Sequence, residues 1–527
     1  MQKVILVLIK EQRLAPLLFL FGVIKYMLFN FIANEDAYDR LIRENATEQL
    51  TDKQFIEREI RRFKISIKRH EMYCGENYYK GKQDILRRKR TAIGEGGKLE
   101  SVDNLPNNRI VDNQYQKMVD QKNNFLLGNP ITVQGDNEEY VKLLQQQYFN
   151  AKFCRTLINC GKDLINCGIG WLFPCHNQFG ELYFRRIKPY ELIPGWKDAE
   201  HTELDYMIHI YPVVVYEKNS SEDKVIEKVE VCDEGGITYF ELTNSGNLIP
   251  VAPFHSNYFA MTDCDGVTTE YNWLKIPFIP FKFNAEEIPL IRRIKSLQDA
   301  VNAIESNFQN AMEEDVRNTI MVLVNYDGTN LGEFRRNLAT YGAVKVNTAD
   351  GGGGDVRTLQ IEVKAENYKA ILDILKKALI ENAMGYDAKD DRLGGNANEL
   401  NIQSMYSDID LDANGTEIQL QAALEEMLWF INAHLYNTNV GDFSNETVDF
   451  IFNRNVMINE SIIIENCQKS QGVISDETII AKHPWVDDPQ KELERIEEEK
   501  QKNIEQYSNV FNNNQNDNTN DNSDGDE

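Results

Sequence analysis

Apolar residues recur at helical spacing on either side of one polar interval near the C-terminal third of the chain, and that interval is the least core-like stretch in it. In residues 364–384, Tyr368, Ile371, Leu372, Leu375, Leu379 and Met384 form one stripe of a 3.6-residue period. The other face carries Lys364, Lys369, Lys376 and Lys377. Asp373 lies four residues from both Lys369 and Lys377, so part of this charge is expected to pair within the helix, at roughly 0.3–0.5 kcal/mol per pair. Gly385 is the expected stop, a residue suited to a left-handed cap. Residues 385–398 then lose all apolar periodicity. Asp387, Asp390 and Asp391 mix there with Lys389 and Arg392 ahead of Gly394, Gly395 and Asn396, the composition of a mobile solvated loop. From Glu399 the pattern is helical again. It is weak through Asp408, Asp410, Asp412 and Gly415, and strong through Leu420, Leu424, Met427, Ile431 and Leu435.

A second long helix is predicted upstream, over residues 286–316. Ile291, Ile294, Leu297, Val301, Ile304 and Phe308 fall on one stripe, with Arg292, Arg293 and Lys295 near the start and Glu313, Glu314 and Asp315 at the end, where acids oppose the helix dipole. Residues 317–363 read as a small insert: strand 320–324, helix 332–341, strand 343–346, the glycine loop 350–355 and an extended piece over 357–363.

The N-terminal half mixes both periods. Thr51 and Asp52 predict the start of an exposed helix running to Tyr73, and 108–127 predicts an amphipathic helix closed by Gly128 and Pro130. A helical region over 138–167 gives way to strands from Gly168 to Trp196, with a hairpin turn at 177–180. Further strands at 207–216, 228–232 and 237–242 suggest a meandering sheet of the α+β kind. Pro277 and Pro280 place the next strand-like run at a sheet edge. A strand at 447–452, helices up to Trp485 and a charged helix after Asp487 lead into a polar, acidic tail expected to be disordered.

Composition narrows the chemistry. A chain of 527 residues with 57 basic and 83 acidic side chains has a formal charge of −26, which weighs against gripping nucleic acid over the whole surface. The length calls for roughly three or four packed units. The eight cysteines form no CxxC pair, and Cys154, Cys160 and Cys167 read as buried free thiols. His176, His201, His209 and His255 are isolated in the sequence and read as satisfied rather than metal-bound. The basic run at 86–90 and GEGGK at 94–98 lack the GxxxxGK[ST] phosphate loop. No nucleophile with its base, no metal cluster and no cofactor motif is legible, so an enzyme is not expected. The apolar run Leu14 to Ile32 admits three readings: a membrane segment, a buried or subunit-contacting helix, and an extension upstream of the true start, with Met27 as that start. The last is favoured.

The order of these parts resembles the portal (head-tail connector) proteins of tailed bacteriophages, of the kind found in siphophages infecting Gram-positive hosts. The resemblance spans residues 108–435. It is carried by NRIVDNQYQKMVDQKNNFLLGNPITV, KPYELIPGW, IPFIPFKFNAEEIPLIRRIKSLQDAVNAIESNFQNAMEED and LVNYDGTNLGEFRRNLATYGAVKV in that order. It implies a portal-type subunit: an α+β wing over 36–285, stem helices at 286–316 and 364–384, a small α/β clip at 317–363 and a tunnel loop at 385–398. A long wing helix with a returning strand would follow at 399–452 and a helical crown at 453–505, with the tail at 506–527 and an apolar extension at 1–35. It further implies a dodecameric ring at one capsid vertex with double-stranded DNA passing through. Its expected partners are the terminase motor, the major capsid and scaffolding proteins and a head-tail adaptor. The loop charges and the basic residues of the stem are the expected DNA-facing groups. The competing expectation is a membrane-associated oligomeric scaffold held by residues 14–32.

Overall fold

The computed structural model describes residues 52–93, 98–101, 105–216, 223–262, 266–315, 319–324, 355–360, 365–387, 399–454, 460–486 and 492–502. The apolar run at 14–32 with Met27, the expected helix 332–341, strand 343–346 and glycine loop, and Lys364 lie outside the described residues. So do Lys389, Asp390, Asp391, Arg392, Gly394, Gly395, Asn396 and the tail. The chain divides into two compact units, Met1–Gly385 with Asp408–Asn455, and Tyr386–Ser407 with Val456–Glu527.

Among the described residues the larger unit opens with two helices, not one. α1 (Asp52–Ile65) and α2 (Ile67–Tyr79) meet at Ser66, whose hydroxyl accepts from the Arg69 amide at 3.1 Å and so restarts the helix. Nor are they merely exposed. Ile56 and Ile60 of α1 pack with Ile193, Ile208, Ile210, Val229 and Phe240, and Met72 of α2 packs with Trp171 and Trp196. After the short hairpin β1 (Thr91–Ile93) and β2 (Leu99–Ser101) comes α3 (Gln114–Leu127), then β3 (Thr132–Gly135) and α4 (Glu138–Leu143). The helical region expected to continue from there is broken by a wide turn at Leu144–Tyr148 and restarted by Asn150, which caps α5 (Ala151–Cys167).

β4 (Ile169–His176) and β5 (Leu182–Ile187) form the expected hairpin, with Gly180 in the left-handed region at φ 79°. The meander follows: β6 (Leu192–Trp196), β7 (Leu204–Val215), β8 (Lys224–Asp233), β9 (Gly236–Leu242) and β10 (Leu248–Ser256) lie in consecutive antiparallel order. A small hairpin, β11 (Phe259–Thr262) with β12 (Thr268–Tyr271), precedes β13 (Ile279–Lys282). β13 is the edge of a three-stranded sheet against β4, with Pro280 opposite Trp171, the location that proline requires, while Pro277 precedes the strand.

α6 (Leu290–Asp315), β14 (Thr319–Val324), β15 (Asp355–Gln360) and α7 (Ala365–Asn382) come next, with β14 and β15 antiparallel. α8 (Glu399–Asn437) is one continuous helix of 39 residues despite its acids and Gly415. β16 (Val448–Ile451) returns to pair with β3. The architecture is therefore α+β. The second unit contains α9 (Glu460–Ser470), α10 (Asp476–Lys482) and helical residues 492–502.

The junction entering α6 is built around one buried acid. Glu287, at φ 55° and with its side chain 2% exposed, meets Lys68 at 2.6 Å, His201 at 2.7 Å and Lys282 at 3.7 Å. Gly168, φ 83°, lies against it so closely that a Cβ there would fall 2.0 Å from the Glu287 carbonyl oxygen. The histidines read as satisfied all have hydrogen-bond partners: His201 here, His209 with Glu230 at 3.0 Å, His176 with His434 at 3.2 Å and His255 with the Gly235 carbonyl at 3.1 Å. Cys160 and Cys167 are buried free thiols, pushed up in pKa by that burial, while Cys154 is half-buried. Among the described residues no three ligating side chains converge as a metal site would require, and no helix is long and apolar enough to cross a membrane.

Candidate functional site

The helix pair α6 and α7, with the turn at Met384 and Gly385 that ends α7, forms the candidate site. α6 enters on apolar contacts, with Ile291, Ile294 and Val301 buried, but its buried face then turns polar. Gln298, Asn302, Ser306 and Asn310, each four residues from the last, are at most 2% exposed. Leu297, Ile304 and Phe308 of the predicted stripe are only half-buried.

What covers this polar face is residues 108–113, predicted as the first turns of a helix. They form neither helix nor strand, and α3 starts only after Asn113, whose side chain caps it. Every second amide of the strap finds the next rung of α6: Asn108 N–H donates to Asn310 at 2.7 Å, Ile110 N–H to Ser306 at 2.9 Å and Asp112 N–H to Asn302 at 3.0 Å. The first turn of α3 adds Tyr115 N–H to Gln298 at 2.8 Å. The spacings are compatible because two residues can span up to about 6.6 Å when extended and four helical residues advance about 6.0 Å. Each such neutral bond contributes about 0.5–1.5 kcal/mol net, and leaving its buried amide unpaired costs more.

α7 leans on α6 through Phe308 and Tyr368, ring centres 5.0 Å apart, and through Lys376, which reaches Asp112 at 2.7 Å and Glu305 at 3.1 Å. Its own stripe is shallow. Leu379 is buried, yet Ile371 and Ile374 are 44% and 67% exposed. Lys369 and Lys377 are exposed, and the expected pairing of Asp373 with them is not made.

α7 ends in a clamp. Met384, not Gly385, adopts the left-handed conformation, at φ 51°. Gly385 is needed for space, since a Cβ there would come within 2.8 Å of Met118 Sδ and Gln121 Oε1 on α3. Lys122 Nζ donates to the Met384 carbonyl at 3.0 Å and to Asp412 Oδ2 at 2.8 Å, and Arg293 Nη1 donates to Asp412 Oδ1 at 2.8 Å. Burial lowers the Lys122 pKa. Burial alone would raise the Asp412 carboxyl, but Lys122 and Arg293 outweigh it and hold it below the usual range. Two of the acids that weakened α8 as a sequence pattern are thus its fasteners: Asp412 joins α3 and α6, while Asp410, together with Glu417, receives Arg454.

The other predicted basic residues divide in the same way. Lys295 is held by Asp84 and Asp299, both at 2.7 Å, and Arg292 pairs loosely with Glu71 at 3.5 Å while staying 58% exposed. Of the loop charges only Asp387 lies among the described residues, next to Tyr386, whose ring meets Tyr406 at 4.6 Å.

Residues 68–506, which include the strap, the helix pair, the clamp and the loop, match the family described as phage portal protein, SPP1 Gp6-like. The chain belongs to that family. It is 29% identical to the portal protein of Bacillus phage SPP1 over 443 residues, 83% of this chain and 85% of the relative. It is 25% identical to the portal protein of Clostridium phage phiCD119 over 468 residues, 85% of this chain and 96% of the relative. A solved neck of an empty GTA particle, computed with C6 symmetry, aligns with a TM-score of 0.37 at 10% identity, over 70% of this chain and 89% of that one. The polar ladder of α6, the strap and the Lys122 clamp therefore all belong to the portal-family part of the chain. Sequence reasoning placed the helix pair but missed the ladder and the clamp, and the predicted loop beyond Asp387 lies outside the described residues. The one signal for the ladder is that its four residues are uncharged, where a solvated face would carry Lys and Glu.

Proposed function

We propose that this portal-family chain assembles with copies of itself into a ring, dodecameric by analogy, at one vertex of a phage capsid, and that double-stranded DNA passes through the ring during packaging and ejection. In this reading α6 and α7 form the channel wall, residues 317–363 the clip that meets the terminase motor and later the head-tail adaptor, and residues 385–398 the loop that touches DNA. The outer parts would meet the major capsid and scaffolding proteins.

The observation that carries the reading is the foot of the loop. A charged segment without apolar periodicity begins one residue after a carbonyl that a buried, ion-paired lysine holds in place. A loop that must repeat one position around a symmetry axis needs such a fixed base. The exposed Ile371 and Ile374 on α7 support it too, because an unburied apolar helix face calls for a neighbour. Mixed charges suit a conduit: Lys389 and Arg392 contact phosphate briefly while Asp387, Asp390 and Asp391 keep that contact weak enough for sliding.

Negative-stain electron microscopy of the purified full chain tests this. Closed rings with a central hole are expected, and a monomer under every assembly condition would refute it.

A further inference from the structure

Residues 81–110 carry seven basic side chains against four acidic ones, in a chain whose net charge is −26. The structure brings the two ends of this stretch together. Arg109 Nη1 donates to the Leu86 carbonyl at 3.0 Å, Asn107 Nδ2 to the Arg88 carbonyl at 3.2 Å and Arg90 Nη1 to the Pro106 carbonyl at 3.0 Å. The pair of segments is fixed to α6 at two points, Arg88 to Asn307 at 2.6 Å and Asn108 to Asn310 at 2.7 Å. Arg87, Lys89 and Arg109 are exposed, as are Lys82 and Lys98 on the flanks.

These cations differ from several others near the helix pair, though Lys369 and Lys377 of α7 are exposed as well. Lys295, Lys376 and Arg293 are neutralised within the subunit. Among the described residues no carboxylate lies within ion-pairing distance of Arg87, Lys89 or Arg109, although Arg87 still helps to lower the Asp84 carboxyl from farther away. The surface also lacks an apolar anchor. Of the side chains described in 81–110, Leu86 at 42% is the only large apolar one in the open. Protein interfaces centre on buried aromatic or aliphatic groups, whereas a phosphodiester backbone is held by cations and hydrogen-bond donors without an apolar anchor.

We infer that Arg87, Lys89 and Arg109 form a second contact for the phosphate backbone of double-stranded DNA, separate from residues 385–398. The strip is tethered to the same helix as the proposed channel wall through Arg88 and Asn108. The inference rests on the portal reading only for the source of the DNA.

The test is fluorescence anisotropy of a labelled duplex with the full chain, from about 50 to about 200 mM salt. The triple variant Arg87→Gln, Lys89→Gln, Arg109→Gln should bind at least about tenfold more weakly at the low-salt end, and its plot of log affinity against log salt should be shallower by about 2–3, since each lost phosphate contact removes about 0.9. The charge-keeping variant Arg87→Lys, Arg109→Lys should retain both values, which separates lost charge from lost shape. An unchanged slope in the triple variant overturns the inference. So does competition by poly-glutamate as strong as that by unlabelled duplex, which would assign the strip to an acidic protein. Microscopy of the same samples keeps the two readings apart. Rings without a strip-dependent slope remove this contact and leave the portal; a strip-dependent slope without rings does the reverse.

Discussion

Lys122 and Met384 lie 262 positions apart in the chain, and the ammonium of one meets the main-chain oxygen of the other at 3.0 Å. The same ammonium holds Asp412, with the two side chains 5% and 11% exposed. Substitution Lys122→Met keeps the apolar stem and removes the charge. Breaking a buried pair costs about 3–5 kcal/mol, and the low end applies because Arg293 still reaches Asp412. The thermal midpoint should fall by several degrees, and hydrogen exchange at residues 384–387 should quicken. A midpoint within about one degree of the parent protein would mean that the clamp is idle.

Glu287 gives a pH signature. Burial raises its carboxyl, but Lys68 and then His201 outweigh burial and hold it down at about 2, against an ordinary value of 4.5. A carboxyl held low in the folded state contributes stability above pH 4.5, and that contribution disappears as pH falls from 4.5 towards 2. Its full size is about 3 kcal/mol. Glu287→Gln should therefore be less stable than the parent by up to about that amount at pH 7, with the gap closing across this window. Urea midpoints at pH 7 and pH 3 measure it; a gap that stays constant would show that the loss is steric.

Elements set by apolar period alone were legible in the sequence: the meander, the hairpin turning at Gly180, Pro280 at a sheet edge, and the two long helices. Contacts between polar groups were not. Gln298, Asn302, Ser306 and Asn310 have the period of a helix face but no hydrophobicity, so the pattern gave no reason to bury them, and residues 108–113 were absorbed into the helix that follows. Asp408, Asp410 and Asp412 lower helix propensity locally, yet the tertiary partners of Asp410 and Asp412 override that cost. Met384 took the left-handed position because Gly385 was required for closeness to α3, which a single sequence does not show.

The strap predicts its own loss. Asn302→Leu fills the same space and removes the acceptor of the Asp112 amide, along with the bond that Asn302 donates to Gln83. An unpaired buried donor costs about 1–3 kcal/mol. Amides of residues 108–112 should exchange at least tenfold faster in the variant, while those of β7 and β8 should keep the parent rate. Uniform acceleration in both places would make the ladder part of the global fold and not a separable strap.

The loop is where structure and function should separate. Lys389 and Arg392 are the only basic residues between Gly385 and Glu399, so Lys389→Gln with Arg392→Gln leaves a loop that carries only acids. In a ring that change repeats once per subunit and turns a collar of mixed charge into one that repels phosphate. DNA packaging or retention should change measurably. Ring assembly should not, because the groups that fix the foot of the loop, Lys122, Asp412 and Arg293, are untouched. Packaged DNA per particle and negative-stain images of the same variant read the two effects independently. Failure of the double variant to form rings at all would mean that the loop charges join subunits and do not face the axis.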